Sequence, residues 1–263
     1  MNILEITNLT TGYKQKKGDN IIARNLNASL TKGTLTCLLG PNGCGKSTLL
    51  RTLAAFQPPL SGEVLIEGTP LSSYSTRQLA QLISIVLTDN SNITGMTAYN
   101  VIAMGRSPYT DFWGRLQPND KEIIDQSIDL VGIRPLIHRR MQTLSDGERQ
   151  KVMIAKAIAQ QTPIIFLDEP TAYLDYPSKV QTLLLLHHLT RTLGKTIFLS
   201  THDIEHALFA ADNIWLLDRQ KGLATGTPTT LSIEGKISEY FNSDDMTYNP
   251  ISRRFEIKLQ DLG

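Results

Sequence analysis

The run Gly40-Pro41-Asn42-Gly43-Cys44-Gly45-Lys46-Ser47 fits the spacing G-x-x-x-x-G-K-[ST]. Glycines let a backbone curl so that several N–H groups converge on one anion. A helix beginning near Lys46 adds the positive end of its dipole. Lys46 offers a point charge to the β and γ phosphates of a nucleotide. Ser47 offers a hydroxyl to Mg²⁺, a hard ion that prefers oxygen. The expected nucleotide-binding residues are therefore Gly40, Asn42, Gly43, Cys44, Gly45, Lys46, Ser47 and Thr48. Cys44 reads as a small residue that fits the loop, or as a thiol acidified by the helix start.

A second set lies downstream. Residues 164–167 are an apolar run that stops at two carboxylates, Asp168 and Glu169. A buried strand ending there places them at the carboxyl edge of a sheet, where α/β folds bind ligands. Asp168 is expected to hold Mg²⁺ and Glu169 to polarise an attacking water. Successive strand residues point opposite ways, which lets the two carboxylates take different roles.

These residues need elements to hold them. Residues 3–9 alternate apolar and polar as a half-buried strand does, and a polar stretch at 14–20 reads as an exposed hairpin loop. Strands are expected at 26–30, 35–39, 64–67, 164–167, 196–200 and 214–217, and a helix at 47–56. From about residue 75 to 159 helical periodicity dominates, as in 121–131 and 148–159, after a loop-rich stretch between 88 and 118. The tail reads as a short helix and a strand near 254–259.

Bulk properties narrow the class. The chain has 263 residues, of which 41% are hydrophobic, enough for one large folded domain. Twenty-six Lys and Arg against 25 Asp and Glu leave a net charge of +1, which gives no electrostatic case for a nucleic-acid partner. Cys37 and Cys44 match neither a disulfide framework nor a zinc pattern, so a reducing compartment is expected. No apolar run approaches the roughly 20 residues that span a bilayer, and residues 1–9 do not read as a signal peptide.

Between the two sets lies Leu144-Ser145-Asp146-Gly147-Glu148-Arg149-Gln150, opening a helix. Here the chain resembles the ABC ATPases, whose signature reads Leu-Ser-Gly-Gly-Gln or a near variant. Tyr13 stands where that family stacks an aromatic ring on adenine. Leu174-Asp175 stands at its dimer-interface D-loop, and His202 at its switch histidine. The resemblance implies an α/β P-loop NTPase core with a mixed sheet, an antiparallel β subdomain and an inserted α-helical subdomain. It assigns residues 1–87 and 161–228 to the core, 88–160 to the insertion and 229–263 to a C-terminal extension, within a single ABC domain at 1–263. It also implies that two copies sandwich two ATP molecules. Ser145, Asp146, Gly147 and Glu148 would form the signature that acts in trans, with Ser145 and the backbone of Gly147 contacting the γ-phosphate held by the other copy. His202 would hydrogen-bond the γ-phosphate and orient Glu169 and the water.

The family pattern is broken twice. It carries a Gln after the strand entering the insertion, whereas here residues 83–87 are followed by Thr88 and Asp89. Thr88 is the best positional match for a Mg²⁺ ligand, and Asp89 is the alternative. Asp146 replaces the usual Gly, and its charge is expected to point away from the phosphate.

The insertion reads Gly105-Arg106-Ser107-Pro108-Tyr109, then Trp113-Gly114-Arg115. This is similar to the ATPase subunits of bacterial importers for iron–siderophore complexes, haem and cobalamin. That resemblance implies a peripheral position on the cytoplasmic side of the inner membrane. Its implied partners are membrane permease subunits and, indirectly, a substrate-binding protein. A soluble ABC ATPase acting on ribosomes or DNA is the alternative class.

Overall fold

A computed structural model describes residues 1–16, 18–87, 93–172 and 174–257. Thr88 and Asp89 lie outside the described residues, as does the end of the strand expected near 254–259. Among the described residues the strands are β1 (Asn2–Tyr13), β2 (Asn20–Thr31), β3 (Leu35–Leu39), β4 (Ser61–Ile66), β5 (Thr69–Pro70), β6 (Ile83–Val86), β7 (Ile164–Asp168), β8 (Thr196–Ser200), β9 (Asn213–Asp218), β10 (Gly222–Gly226), β11 (Met246–Asn249) and β12 (Arg254–Ile257). The helices are α1 (Lys46–Leu53), α2 (Thr76–Leu82), α3 (Ala98–Ala103), α4 (Pro118–Val131), α5 (Asp146–Ala159), α6 (Tyr176–Leu193), α7 (Ile204–Ala210), α8 (Pro228–Ile233) and α9 (Lys236–Phe241).

A six-stranded sheet runs β10-β9-β3-β8-β7-β6. Its strands are parallel from β9 to β6, and β10 closes it as an antiparallel hairpin partner of β9. Every residue of β3, β7 and β8 is buried, which is why these strands are mostly apolar rather than alternating. A second, antiparallel sheet runs β2-β1-β4-β5. β1 and β2 are longer than their sequence pattern, because register shifts along their ladder interrupt the alternation that marks a strand. One apolar cluster joins the second sheet to α1 through Leu4, Leu9, Leu26, Leu49 and Phe166.

The other cluster gathers α3, α4 and α5 around Val101, Ile124, Ile128, Val152 and Ile158 and continues to β7 and β8. The segment after α3 is pinned to the end of α5. Gly105 lies so close to that helix that an added Cβ would fall 2.4 Å from the Lys156 carbonyl. Arg106 is buried, ion-pairs with Asp120 at 2.9 Å and donates to the Ala159 carbonyl at 2.8 Å, with its guanidinium 4.0 Å from the Tyr109 ring centre. Tyr109 OH donates to the Gln160 carbonyl at 3.0 Å. The arginine thus satisfies a helix-terminal carbonyl and a carboxylate at once.

The tail differs from its expected helix plus strand. Two helices, α8 and α9, precede a β11–β12 hairpin. Phe255 packs against both Phe241 and Tyr248, a long-range aromatic contact that leaves no local periodicity in the sequence.

Candidate active site

β3 ends at Leu39, directly before Gly40, and α1 starts at Lys46, so the phosphate-loop run spans a strand-to-helix turn at the carboxyl edge of the sheet. Gly40 admits no side chain, since a Cβ would fall 2.1 Å from the Leu217 carbonyl on β9. Gly43 and Gly45 have φ of 75° and 110°, the left-handed geometry that glycine adopts without steric cost. Lys46 is buried and donates to the carbonyls of Gly40 at 2.8 Å and Pro41 at 3.2 Å, which holds its ammonium against the loop. Cys44 is buried, and burial pushes its thiol pKa up despite the opposing charge of Lys46. The acidified-thiol reading is therefore overturned, and Cys44 is a small residue packed behind the loop.

β7 lies beside β8, and their register pairs Asp168 with Ser200. Ser200 Oγ donates to Asp168 Oδ1 at 2.6 Å, and Ser47 Oγ donates to the same oxygen at 3.1 Å. Asp168 is thereby tied to the first turn of α1. Glu169 does not continue the strand. Its φ is 47°, and its N–H donates to Ser200 Oγ at 3.0 Å and to the Ser200 carbonyl at 3.1 Å. Strand alternation is therefore not what separates the two carboxylates. A left-handed kink, fixed by Ser200, turns Glu169 away from Asp168 and toward His202, whose Nδ1 is 3.3 Å from Glu169 Oε2.

A cleft of ≈ 230 Å³ opens beside these groups. It is lined by Asn42, Gly43, Gly45, Lys46, Ser47, Thr48 and Glu169, together with Ile22 and Arg219. Tyr13 closes β1 with its ring part exposed, and its hydroxyl lies 3.2 Å from Thr48 Oγ1. One cleft thus gathers anion-binding backbone, a buried cation and a carboxylate, with His202 paired to that carboxylate from behind and an aromatic ring bonded to its Thr48.

Ser145, Asp146, Gly147, Glu148 and Asp175 are not among the cleft-lining residues. Ser145 caps α5 through a capping box: its Oγ accepts from Glu148 N at 3.3 Å, and Glu148 Oε2 accepts from Ser145 N at 2.8 Å. The Ser145 backbone bond, helped by Arg139, holds the Glu148 carboxyl below the usual carboxylate range against a smaller burial effect. Asp146 faces solvent and pairs with Arg149. Gly147 sits against the start of α6, where a Cβ would lie 3.6 Å from Leu174 Cδ2 and 3.8 Å from Ser178 Oγ. Asp175 caps α6 by accepting from Ser178 N at 3.0 Å, and the Ser178 side chain, together with that backbone bond, lowers its pKa. Asp146, Gly147 and Asp175 thus cluster at two adjoining helix N-termini.

The sequence reading missed Ile22, Ser200 and Arg219. Ile22 packs against Gly45, where an added Cβ would meet its Cγ2 at 2.3 Å. Ser200 directly precedes the Thr201-His202 pair, but its bridging role needs the β7–β8 register. Arg219 belongs to no motif.

Residues 23–172 match the ABC transporter family. The chain is 34% identical to the iron(3+)-hydroxamate import ATP-binding protein FhuC of Bacillus subtilis (strain 168), over 98% of this chain and 96% of that protein. It is 35% identical to the ferric enterobactin transport ATP-binding protein FepC of Escherichia coli (strain K12), over 84% of this chain and 80% of that one. It is also similar to a dimeric, post-hydrolysis structure of the ATP-binding cassette MJ0796 bound to ADP and Pi. The TM-score there is 0.74 and the identity 26%, over 86% of this chain and 98% of that one. The chain belongs to the ABC transporter family, and it is an ABC ATPase.

Proposed function

We propose that this chain is the ATP-hydrolysing subunit of an importer for an iron chelate of the siderophore type, or for haem or cobalamin, and that it works through a separate membrane permease. The observation that carries the hydrolytic part is the placement of Lys46 and Glu169 in one cleft, with Asp168 bonded to Ser47 of its lining and His202 paired to Glu169. The import part is supported by relatives whose names specify iron(3+)-hydroxamate import and ferric enterobactin transport. Among the described residues no helix is long and apolar enough to cross a membrane, so the permeation path is assigned to the partner.

In this reading ATP lies with its triphosphate in the loop of Gly40, Asn42, Gly43, Cys44, Gly45, Lys46, Ser47 and Thr48, and its adenine against Tyr13. The oxygen donors fit Mg²⁺. Ser47 Oγ and Asp168 Oδ1 are 3.1 Å apart, and hydroxyl, carboxylate and phosphate oxygens suit a small hard ion. Thr88 is proposed as a further ligand from its place after β6, with Asp89 as the alternative. When bound, the ion neutralises phosphate charge. Glu169 accepts a proton from the attacking water, and His202 holds the Glu169 carboxylate in line.

Two copies are proposed to meet head to tail, supported by the dimer of the similar cassette. Ser145, Asp146, Gly147 and Glu148 of one copy then stand at the γ-phosphate held by the other, and Asp175 lies at the seam. Residues 1–87 and 161–228 form the nucleotide-binding core in this scheme, 88–160 the unit that meets the permease, and 229–263 an extension.

The test is an affinity capture of the Glu169→Gln protein with ATP from detergent-solubilised native cells, with partners identified by mass. Recovery of a polytopic permease supports the importer. Recovery of ribosomes or DNA-repair proteins without a membrane partner overturns it and leaves the ATPase standing.

A further inference from the structure

Arg219 stands at the rim of the nucleotide cleft for a reason that begins in the sheet. β9 lies directly beside β3, with Leu39 paired to Leu216, and Gly40 is pressed onto the Leu217 carbonyl. Anything two residues beyond Leu217 therefore emerges next to the phosphate loop. The β9–β10 hairpin then turns sharply, because Asp218 Oδ1 accepts from Gln220 N at 2.8 Å and from Lys221 N at 2.9 Å. Those bonds leave Arg219 at the outside of the turn, facing the loop. Its Nε donates to the Gly43 carbonyl at 3.0 Å, and the residue lines the same cleft as Lys46 and Ser47. A guanidinium engaged through Nε keeps two terminal amino groups for other acceptors.

We propose that Arg219 is a second cation for the polyphosphate of the nucleotide, tethered to Gly43 at the rim while Lys46 serves from within the loop. This rests on the reading that the cleft binds ATP and adds a residue to it. The division of labour follows from burial. Lys46 is enclosed and points into a fixed position, whereas Arg219 is exposed, so its attraction is felt by the ligand on approach and is screened by salt. Arg219 is the planar, always charged cation suited to phosphate oxygens.

The experiment is calorimetric titration of the full chain with ATP and Mg²⁺ at low and high NaCl, for wild type, Arg219→Ala, Arg219→Lys, Arg219→Gln and Lys46→Ala. Arg219→Ala is expected to raise the Kd for ATP about fivefold at low salt, and the difference is expected to shrink below about twofold near 0.5 M salt. Arg219→Lys should keep most of the affinity. Arg219→Gln, which retains a donor for the Gly43 carbonyl but no charge, should behave as Ala does. Wild-type affinity in Arg219→Gln, or a loss that salt does not diminish, overturns the charge role and leaves only a loop tether. Unchanged affinity in Arg219→Ala overturns the proposal outright. Wild-type protein that fails to bind ATP, with Lys46→Ala no different, defeats the ATP reading itself, so the two failures are distinguishable.

Discussion

His202 Nδ1 stands 3.3 Å from Glu169 Oε2, at the point where a left-handed kink has turned the glutamate out of its strand. The pair is assembled from the ends of two neighbouring parallel strands rather than from one segment, since Glu169 directly follows β7 and His202 lies two residues after β8. In the proposed mechanism, removing either partner affects the same water by a different route.

Glu169→Gln removes the proposed proton acceptor and keeps the shape. ATP binding is expected to persist while turnover falls by about 10²–10⁴-fold, the range of a lost general base. Single-turnover hydrolysis and size-exclusion chromatography with ATP check this, with an ATP-trapped dimer as the expected species. Turnover within twofold of wild type sinks the assignment of Glu169.

Ser200→Ala deletes the hydroxyl that donates to Asp168 at 2.6 Å and accepts from Glu169 N at 3.0 Å. Turnover is expected to drop about tenfold with ATP affinity changing far less, because two carboxylates lose their common anchor. A magnesium titration of the ATPase rate should show a higher requirement. Identical titration curves would remove Ser200 from the site.

Arg106→Met leaves Asp120 buried and uncompensated, and strips a donor from the Ala159 carbonyl. Breaking a buried pair from one side costs about 3–5 kcal/mol. Denaturant unfolding of wild type, Arg106→Met and Arg106→Lys reads the loss, and Lys should recover part of it. A midpoint unmoved in the Met variant contradicts the clasp.

Glu148 predicts an acid limb in stability. Its folded pKa is depressed, mainly by the Ser145 backbone N–H, so its contribution is fully present above its unfolded pKa of about 4.3 and is lost as pH falls through the lower folded value. Melting curves of wild type and Glu148→Ala should differ at neutral pH and converge in acid. A gap that stays constant from neutral to acid pH excludes this linkage.

Much of the core was legible because its strands are short and wholly buried. Residues 35–39 and 196–200 are largely apolar stretches bounded by glycine, lysine or a polar turn, and they fold as β3 and β8. The phosphate loop was equally plain, since its glycines sit where φ is positive or where the chain packs too closely for a side chain. What escaped were properties of the assembled sheet. The geometry of Glu169 depends on the Ser200 register, Arg219 is placed by a hairpin two strands from β8, and the tail is held by Phe255 against Phe241 and Tyr248. None of these leaves a periodic trace near the residue concerned.

The φ of 47° at Glu169 has an evolutionary reading. Glycine or asparagine would adopt that backbone more readily, at a gain of the order of 1 kcal/mol. A lineage selected for fold alone would drift toward them at position 169. On the proposed role of Glu169, keeping a glutamate there reflects selection on turnover, and a relative that traded the acid for an easy backbone is expected to have given up hydrolysis.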